Sequence, residues 1–327
     1  MLTKDKIVDI RENSIDAEVL TVLLIDRSTT QNILWCTEDY TILGDGYGFH
    51  DSIEVNLISG CNDGVIKPRI EKGTAAQEQR SREKGEVFTP SWVCNSQNNL
   101  VDDAWFGIKR KRFNTEKGEG WKTNYYPISF AEAQGKTWQD YIRATRMEVS
   151  CGEAPYLTTR YDTVTGKYIP ARCRVGLLDR KLRVVSENVS DKGEWLKWAM
   201  SAVQNIYGYD WQGDNVLLAR ENILYSVIEY YHDIYNDLLD KRTILKFAEV
   251  ISWNIWQMDG IKFVVPDSCH PIPEEQMTLF ETEVVMRECP GCKTGNHQKH
   301  TGNYCLIMDW ETKKPIRFID IMKGAEA

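Results

Sequence analysis

Apolar residues recur along the second half of the chain in two alternating rhythms. In one, Leu217, Leu224, Val227, Ile228 and Tyr231 fall on a single helical stripe, with Asp214 placed to cap its start. Ile244, Phe247, Ala248 and Ile251 repeat that spacing, with Thr243 as the capping residue. Trp195, Trp198, Ala199 and Ala202 mark a helix over 194–205, and Trp138–Thr145 reads as another. Between these segments lie short apolar runs, Met147–Val149, Ile206–Tyr209 and Ile255–Met258, of a length suited to strands. Strands alternating with helices predict a mainly parallel sheet with helices on both faces, an α/β fold.

The first half is less regular. Helices are expected over Ile15–Leu24 and Pro90–Trp105, the second with its proline in the first turn, and Asn32–Cys36 is strand-like. Gly44–Phe49 is a turn-rich surface loop, because no Lys-Ser/Thr follows it as a phosphate loop requires. From Gly60 to Gly85 the polar, charged composition predicts a linker, and residues 107–136 a long loop. Gly176–Val185 fits a helix or a strand, and Pro315–Ile321 is a strand-like run near the end.

Composition narrows the class. The 327 residues, 42% hydrophobic and 27% charged, suit an ordinary soluble globular protein with one large or two moderate domains. No apolar stretch is long enough to span a bilayer, and the N-terminus lacks a secretory apolar region, so a cytoplasmic location is expected. The odd count of nine cysteines argues against a disulfide framework. A net charge of −8 excludes a protein that coats DNA by charge alone, though not one with a local basic groove.

The strands point to a ligand site. Their carboxyl ends, near Glu148–Gly152, Asp210 and Asp259, fall along one edge of a parallel sheet, where open α/β folds bind ligands. Gly152 permits close backbone approach. Asp210 suits a ribose diol, Trp211 one face of an adenine, and Asp259 the adenine amino group. Each taken alone is also an ordinary turn glycine, loop acid or core tryptophan; their order at successive strand ends favours a nucleoside cofactor.

Three segments carry a resemblance. Gly85-Glu-Val-Phe-Thr-Pro-Ser-Trp-Val93 resembles the Phe-Thr-Pro segment of N6-adenine DNA methyltransferases of restriction–modification systems. Glu148-Val-Ser-Cys-Gly-Glu-Ala-Pro-Tyr-Leu157 is similar to their S-adenosylmethionine loop. Tyr207-Gly-Tyr-Asp210 with Asn215–Leu224 resembles the motif that follows, an acid and then a helix carrying Ala-Arg-x-Asn. The resemblance implies a Rossmann-like S-adenosylmethionine-dependent methyltransferase fold. It places the cofactor at Phe88, Thr89, Pro90, Glu148, Cys151, Gly152, Asp210, Trp211 and Asp259. It also implies domains at 85–264, with an insertion over 158–193, and an N-terminal α+β extension with linker over 1–84. Residues 265–327 remain as a zinc-knuckle segment and terminal strand.

The chain departs from that pattern in having one loop glycine and no Asn/Asp-Pro-Pro-Tyr/Phe tetrad, the element that holds the flipped target base. The expected function is therefore the cofactor-binding half of a split DNA adenine-N6 methyltransferase. A second subunit would carry the tetrad or the specificity domain. The alternative is a catalytically inactive assembly or DNA-docking module.

Cys289-Pro-Gly-Cys292, followed by His297, His300 and Cys305 and preceded by Cys269-His270, has the spacing of a structural zinc knuckle. Cys289, Cys292 and His300 are expected ligands, with Cys269 or Cys305 as the fourth. No glutamate sits at general-base spacing, which favours a structural site. Lys109-Arg110-Lys111-Arg112, among the aromatics Trp105, Phe106, Phe113, Trp121, Tyr125 and Tyr126, is the candidate DNA contact, with a solvated charged face the competing reading. A zinc-dependent nuclease built on residues 1–85 lacks a paired acid–Lys signature.

Overall fold

A computed structural model describes residues 11–86, 89–110, 112–277 and 282–325. Helix α1 (Ala17–Leu24) is capped by Asp16, which accepts from the Glu18 amide at 3.0 Å. The run 32–36 forms isolated bridges, Ile25 with Asn32 and Leu34 with Ser52, and no longer strand. After the one-turn α2 (Val55–Ile58), the expected linker is replaced by α3 (Thr74–Lys84). That helix has no apolar stripe; buried ion pairs of Arg80 hold it instead.

Helix α4 (Ser91–Phe106) leads into the stretch expected as a loop, which contains a short hairpin, β1 (Asn114–Glu116) and β2 (Trp121–Thr123). Then come α5 (Trp138–Arg143), β3 (Arg146–Val149) and α6 (Leu177–Asn188), so the ambiguous 176–185 segment is helical. The alternation continues with α7 (Lys192–Gln204), β4 (Ile206–Asp210), α8 (Gly213–Tyr235), α9 (Lys241–Asn254) and β5 (Ile255–Gln257). Two expected caps are corrected. Asp240, not Thr243, caps α9 by accepting the Thr243 amide at 3.0 Å. Asp214 lies inside the first turn of α8, after its N-cap Gln212, and its carboxylate points to cations.

Strands β3, β4 and β5 form a parallel sheet in that order, with Glu148 opposite Gly208 and Gly208 opposite Ile255. The fold is therefore mixed α/β with small sheets. The remaining chain forms the hairpin β6 (Ile272–Met277) and β7 (Thr282–Arg287), the short α10 (Pro290–Thr294), the hairpin β8 (Leu306–Asp309) and β9 (Lys314–Arg317), and α11 (Phe318–Ala325). The expected terminal strand 315–321 is thus a strand that turns into a helix at Phe318.

Two buried cations set the sheet in place. The Lys181 ammonium donates to the carbonyls of Ile142 (2.8 Å), Ala144 (2.6 Å) and Asn205 (3.0 Å), holding the entries to β3 and β4 side by side. Arg220 donates to Ile255 O (2.8 Å), Ile25 O (3.0 Å) and Ser252 O (3.2 Å), tying α8 to the start of β5 and to the end of α1. Burial draws Lys181 well below its ordinary range and Arg220 down to about 9.

The core runs without a break from Leu20 and Trp35 through Leu178 and Trp195 to Leu217 and Phe247, so the N-terminal residues share it. A smaller cluster of Tyr209, Trp256, Met258, Cys305 and Phe318 fastens the C-terminal segment beside β5.

Glu221 on α8 is fully buried, and neither of its carboxylate oxygens has a hydrogen-bond partner among the described residues. Burial, and after it the nearby Glu12, raise it well above its ordinary value of 4.5. The folded chain therefore keeps a proton that the unfolded chain gives up. This contribution to stability is complete below pH 4.5 and is lost as pH rises through the higher folded value. Glu221→Gln removes the ionisation. In scanning calorimetry at about pH 5 and about pH 8, the variant should lose less melting temperature between the two than the parent. Equal losses would contradict this account.

Candidate functional site

β3 ends in a strained turn. Ser150, Gly152 and Ala154 all have positive φ, at 50°, 51° and 62°. The Cys151 amide still bonds to Tyr209 O at 2.8 Å, while the Gly152 amide donates to Asp210 Oδ2 at 2.9 Å. Among the described residues, no atom beyond Gly152 and its chain neighbours lies within 4 Å of where a Gly152 Cβ would stand, so the backbone there is open to a ligand. Glu148 is buried beneath the turn, accepting from the Tyr156 (3.3 Å) and Leu157 (3.2 Å) amides. Burial raises its carboxyl well above the ordinary range, against the pull of those two N–H groups. It shapes the loop, with its carboxylate already engaged.

Asp210, at the end of β4, is also buried. Its Oδ1 accepts from the Gln212 amide at 3.1 Å. Burial raises it, and the Gln212 and Gly152 amides oppose that rise. Asn222 on α8 reaches back to Glu153 O at 3.1 Å, which explains the asparagine of the Ala-Arg-x-Asn helix: it pins the loop beyond Gly152.

A cavity of about 1400 Å³ opens at the carboxyl ends of β3 and β4. Thr89, Glu148, Cys151, Gly152, Asp210 and Trp211 all line it, so most of the expected cofactor residues meet in one place. Phe88 lies outside the described residues. Pro90 is the N-cap of α4 and does not reach the lining. Asp259 is a correction: it too is absent from the lining. Its Oδ1 accepts from the Ile261 (2.9 Å) and Lys262 (3.0 Å) amides, turning the carboxylate into its own loop.

The opposite wall comes from the N-terminal half. Arg80 pairs with Asp39 (2.6 Å), Glu86 (2.9 Å) and Asp214 (3.1 Å), and donates to Gln212 Oε1 at 2.6 Å. Asp214, fully buried, also receives Lys72 at 3.0 Å and the Tyr40 hydroxyl at 2.7 Å. Burial alone would raise Asp214, but Lys72 and Arg80 outweigh it and hold the carboxyl well below its usual range. Sequence reasoning missed this network. Its only local signal is the Arg80–Glu86 pair, six residues apart across Gly85.

A second cluster lies in the C-terminal segment. Cys269, Cys289, Cys292 and His300 offer ligand atoms all within 4.8 Å of one another. Cys269 Sγ stands 3.1 Å from Cys289 Sγ and 3.5 Å from Cys292 Sγ, and His300 Nδ1 is 3.5–3.7 Å from the three sulfurs. Metal–sulfur and metal–nitrogen bonds of about 2.3 and 2.0 Å give tetrahedral edges of about 3.5–3.8 Å; the Cys269–Cys289 edge is shorter and the other four separations fall in that range, so the group could hold a metal ion such as zinc. A Cβ on Gly291 would come within 2.5 Å of the His300 ring, which requires glycine in the knuckle.

Cys269 is therefore the fourth candidate ligand, and Cys305 is corrected. Fully buried in the small core, Cys305 places its sulfur 3.4 Å from Gln257 O. A Gly291→Val chain should retain well below one zinc per molecule by atomic emission, and full occupancy would refute the assignment.

The basic run is not an open stripe. Arg110 bonds to Glu132, and Arg112 lies 3.3 Å from the same carboxylate and 4.4 Å over the Phe106 ring. Lys109 is exposed, and Lys111 lies outside the described residues. Phe106 and Phe113 are buried, with Trp105 packed against the same core; Tyr125 and Tyr126 stay exposed.

Comparison with known proteins finds no matching family, no matching curated protein and no matching solved structure. Among the described residues no helix is long and apolar enough to cross a membrane.

Proposed function

We propose that this chain is the S-adenosylmethionine-binding subunit of a DNA adenine-N6 methyltransferase, with a Rossmann-like cofactor domain. A partner subunit supplies the target-base tetrad and DNA specificity. One observation carries the reading: the Cys151–Gly152 turn, Asp210, Trp211 and Thr89 line a single cavity at the carboxyl ends of adjacent parallel strands.

The bound cofactor supplies a sulfonium methyl group. The chain's own residues bind and orient. The open backbone at Gly152 lies against the methionine part, and lone pairs of Asp210 left free by the two amides accept from the ribose hydroxyls. Trp211, at the lip, covers the adenine. Methyl transfer by in-line attack depends chiefly on positioning, so the site can be shared between two chains. In this reading the Cys269–Cys289–Cys292–His300 group holds a structural Zn²⁺ that braces the segment beside β5.

Gly152→Val tests the assignment. A β-branched residue at φ 51° is strained, and its side chain enters the space reserved for the ligand. Binding of S-adenosylhomocysteine should weaken by at least tenfold, with a stability loss of only about 1–2 kcal/mol. Unchanged affinity would refute the placement. Methyl transfer to adenine in DNA should appear only when the partner is added, and transfer by this chain alone would refute the split.

A further inference from the structure

Far from the cavity lining, the single turn Glu12–Ser14 lies against α8. The Ser14 and Tyr225 hydroxyls meet at 2.7 Å, and Tyr225 stands one helical turn beyond Glu221 on the same face. The loop after α2 is clasped to that turn as well. The Asn13 amide donates to Asp63 Oδ1 at 3.0 Å, the Gly60 amide to Asn13 Oδ1 at 2.7 Å, and the Gly64 amide to Glu12 Oε2 at 3.4 Å. Glu12, Asp63 and Glu221 are thus gathered from three separate parts of the chain.

The two glutamates are sealed in and short of partners. Glu12 is 1% and Glu221 0% exposed. Both oxygens of Glu221 and Oε1 of Glu12 lack a hydrogen-bond partner among the described residues, where no other buried carboxylate has both oxygens in that state. Arg160 and Arg11 are the cations that act on the pair, and Asp63 the further acid. Both arginines are committed elsewhere: Arg160 to Glu229 (2.7 Å) and Asn222 (3.2 Å), Arg11 to Glu71 (3.5 Å). Buried carboxylates are ordinarily paired or coordinate a metal. These oxygens are closed to water, so the missing partner is smaller than a water molecule: a proton or a bare ion. Mg²⁺ and Ca²⁺ approach oxygen to about 2.0–2.6 Å, closer than the roughly 2.7–2.8 Å of a water hydrogen bond.

We infer that Glu12 and Glu221 form a site for a hard divalent cation, Mg²⁺ or Ca²⁺, with Asp63 adding negative charge beside it. Carboxylate oxygens, with no sulfur or nitrogen among them, select that class of ion. The ion clamps the 12–14 turn and the 60–64 loop to α8. The next residue of that helix, Asn222, holds the loop beyond Gly152, so the clamp also steadies the cavity floor. Without the ion the pair keeps protons, because burial raises both carboxyls above their ordinary 4.5. Binding therefore exchanges protons for the cation and strengthens as pH rises. None of this depends on what the large cavity holds.

The test uses the full chain freed of Mg²⁺ and Ca²⁺, with the cysteine cluster left as purified. At about pH 8, millimolar Mg²⁺ or Ca²⁺ should raise the melting temperature by at least about 3 °C in a saturable way. At about pH 5 the rise should be less than half as large. Titration calorimetry in buffers of different ionisation heat should detect protons released on binding. E221Q keeps the size of the side chain and removes its charge, so the chain still folds and should bind the ion at least tenfold more weakly; E12Q should do the same. A pair that holds only protons would show no rise with either ion, and that result overturns the inference. An equal rise in E221Q and E12Q, or binding without proton release, overturns it too.

Discussion

Replacing Arg80 by Ala should destabilise the chain by about 3–5 kcal/mol, the usual cost of leaving a buried charge without its partner. The guanidinium is 3% exposed and meets Asp39, Glu86 and Asp214 at once. Asp214 keeps Lys72, but its second cation is gone, and Glu86 is left with Asn215 at 2.8 Å. Since α3 lacks an apolar face, losing this pairing should also release it from the cavity wall. Urea unfolding would show the loss as a lower midpoint, and proteolysis within residues 74–84 should accelerate. A midpoint within error of the parent would mean that the network contributes little. Arg80→Lys separates charge from geometry, because a lysine ammonium keeps the charge but not the planar fork of five donors that spans Asp39, Glu86 and Asp214, and should recover only part of the stability.

The second large effect concerns the metal. Structural zinc contributes about 10–16 kcal/mol of apparent folding free energy in small finger peptides. Here the expected loss is confined to the segment that the ligands fasten, from Cys269 to His300, which includes the β6–β7 hairpin. Cys289→Ser should abolish zinc retention and expose that hairpin to limited proteolysis while the main core stays folded. Cys305→Ala is the control. Its thiol sits in the small core, 3.4 Å from Gln257 O, so zinc content should remain at one per chain. Loss of zinc in Cys305→Ala, or its retention in Cys289→Ser, would reverse the assignment.

The three strands of the parallel sheet were legible because each is a short apolar run closed by an acid or a glycine turn. The Cys-Pro-Gly-Cys knuckle was legible from its spacing. What sequence could not convey depended on direction. Asp210 and Asp259 occupy the same pattern at the ends of neighbouring strands. Asp210 meets the Gly152 amide across the sheet, whereas Asp259 is captured by the two amides that follow it. Cys269 and Cys305 flank the knuckle alike, yet the bridge between Val264 and Tyr304 brings the Cys305 backbone against Phe263 and turns its thiol into the core. The charged segment 74–84 read as a linker because its partners, Asp39 and Asp214, lie 41 and 134 residues from Arg80. No local pattern carries such information.

The central claim is that the cavity above Gly152 and Asp210 holds an adenosyl cofactor. Isothermal titration calorimetry of the full chain with S-adenosylhomocysteine tests it most directly. Saturable heat from a single site, lost in Asp210→Ala, is the predicted result. An absence of heat together with an unchanged melting temperature would contradict it.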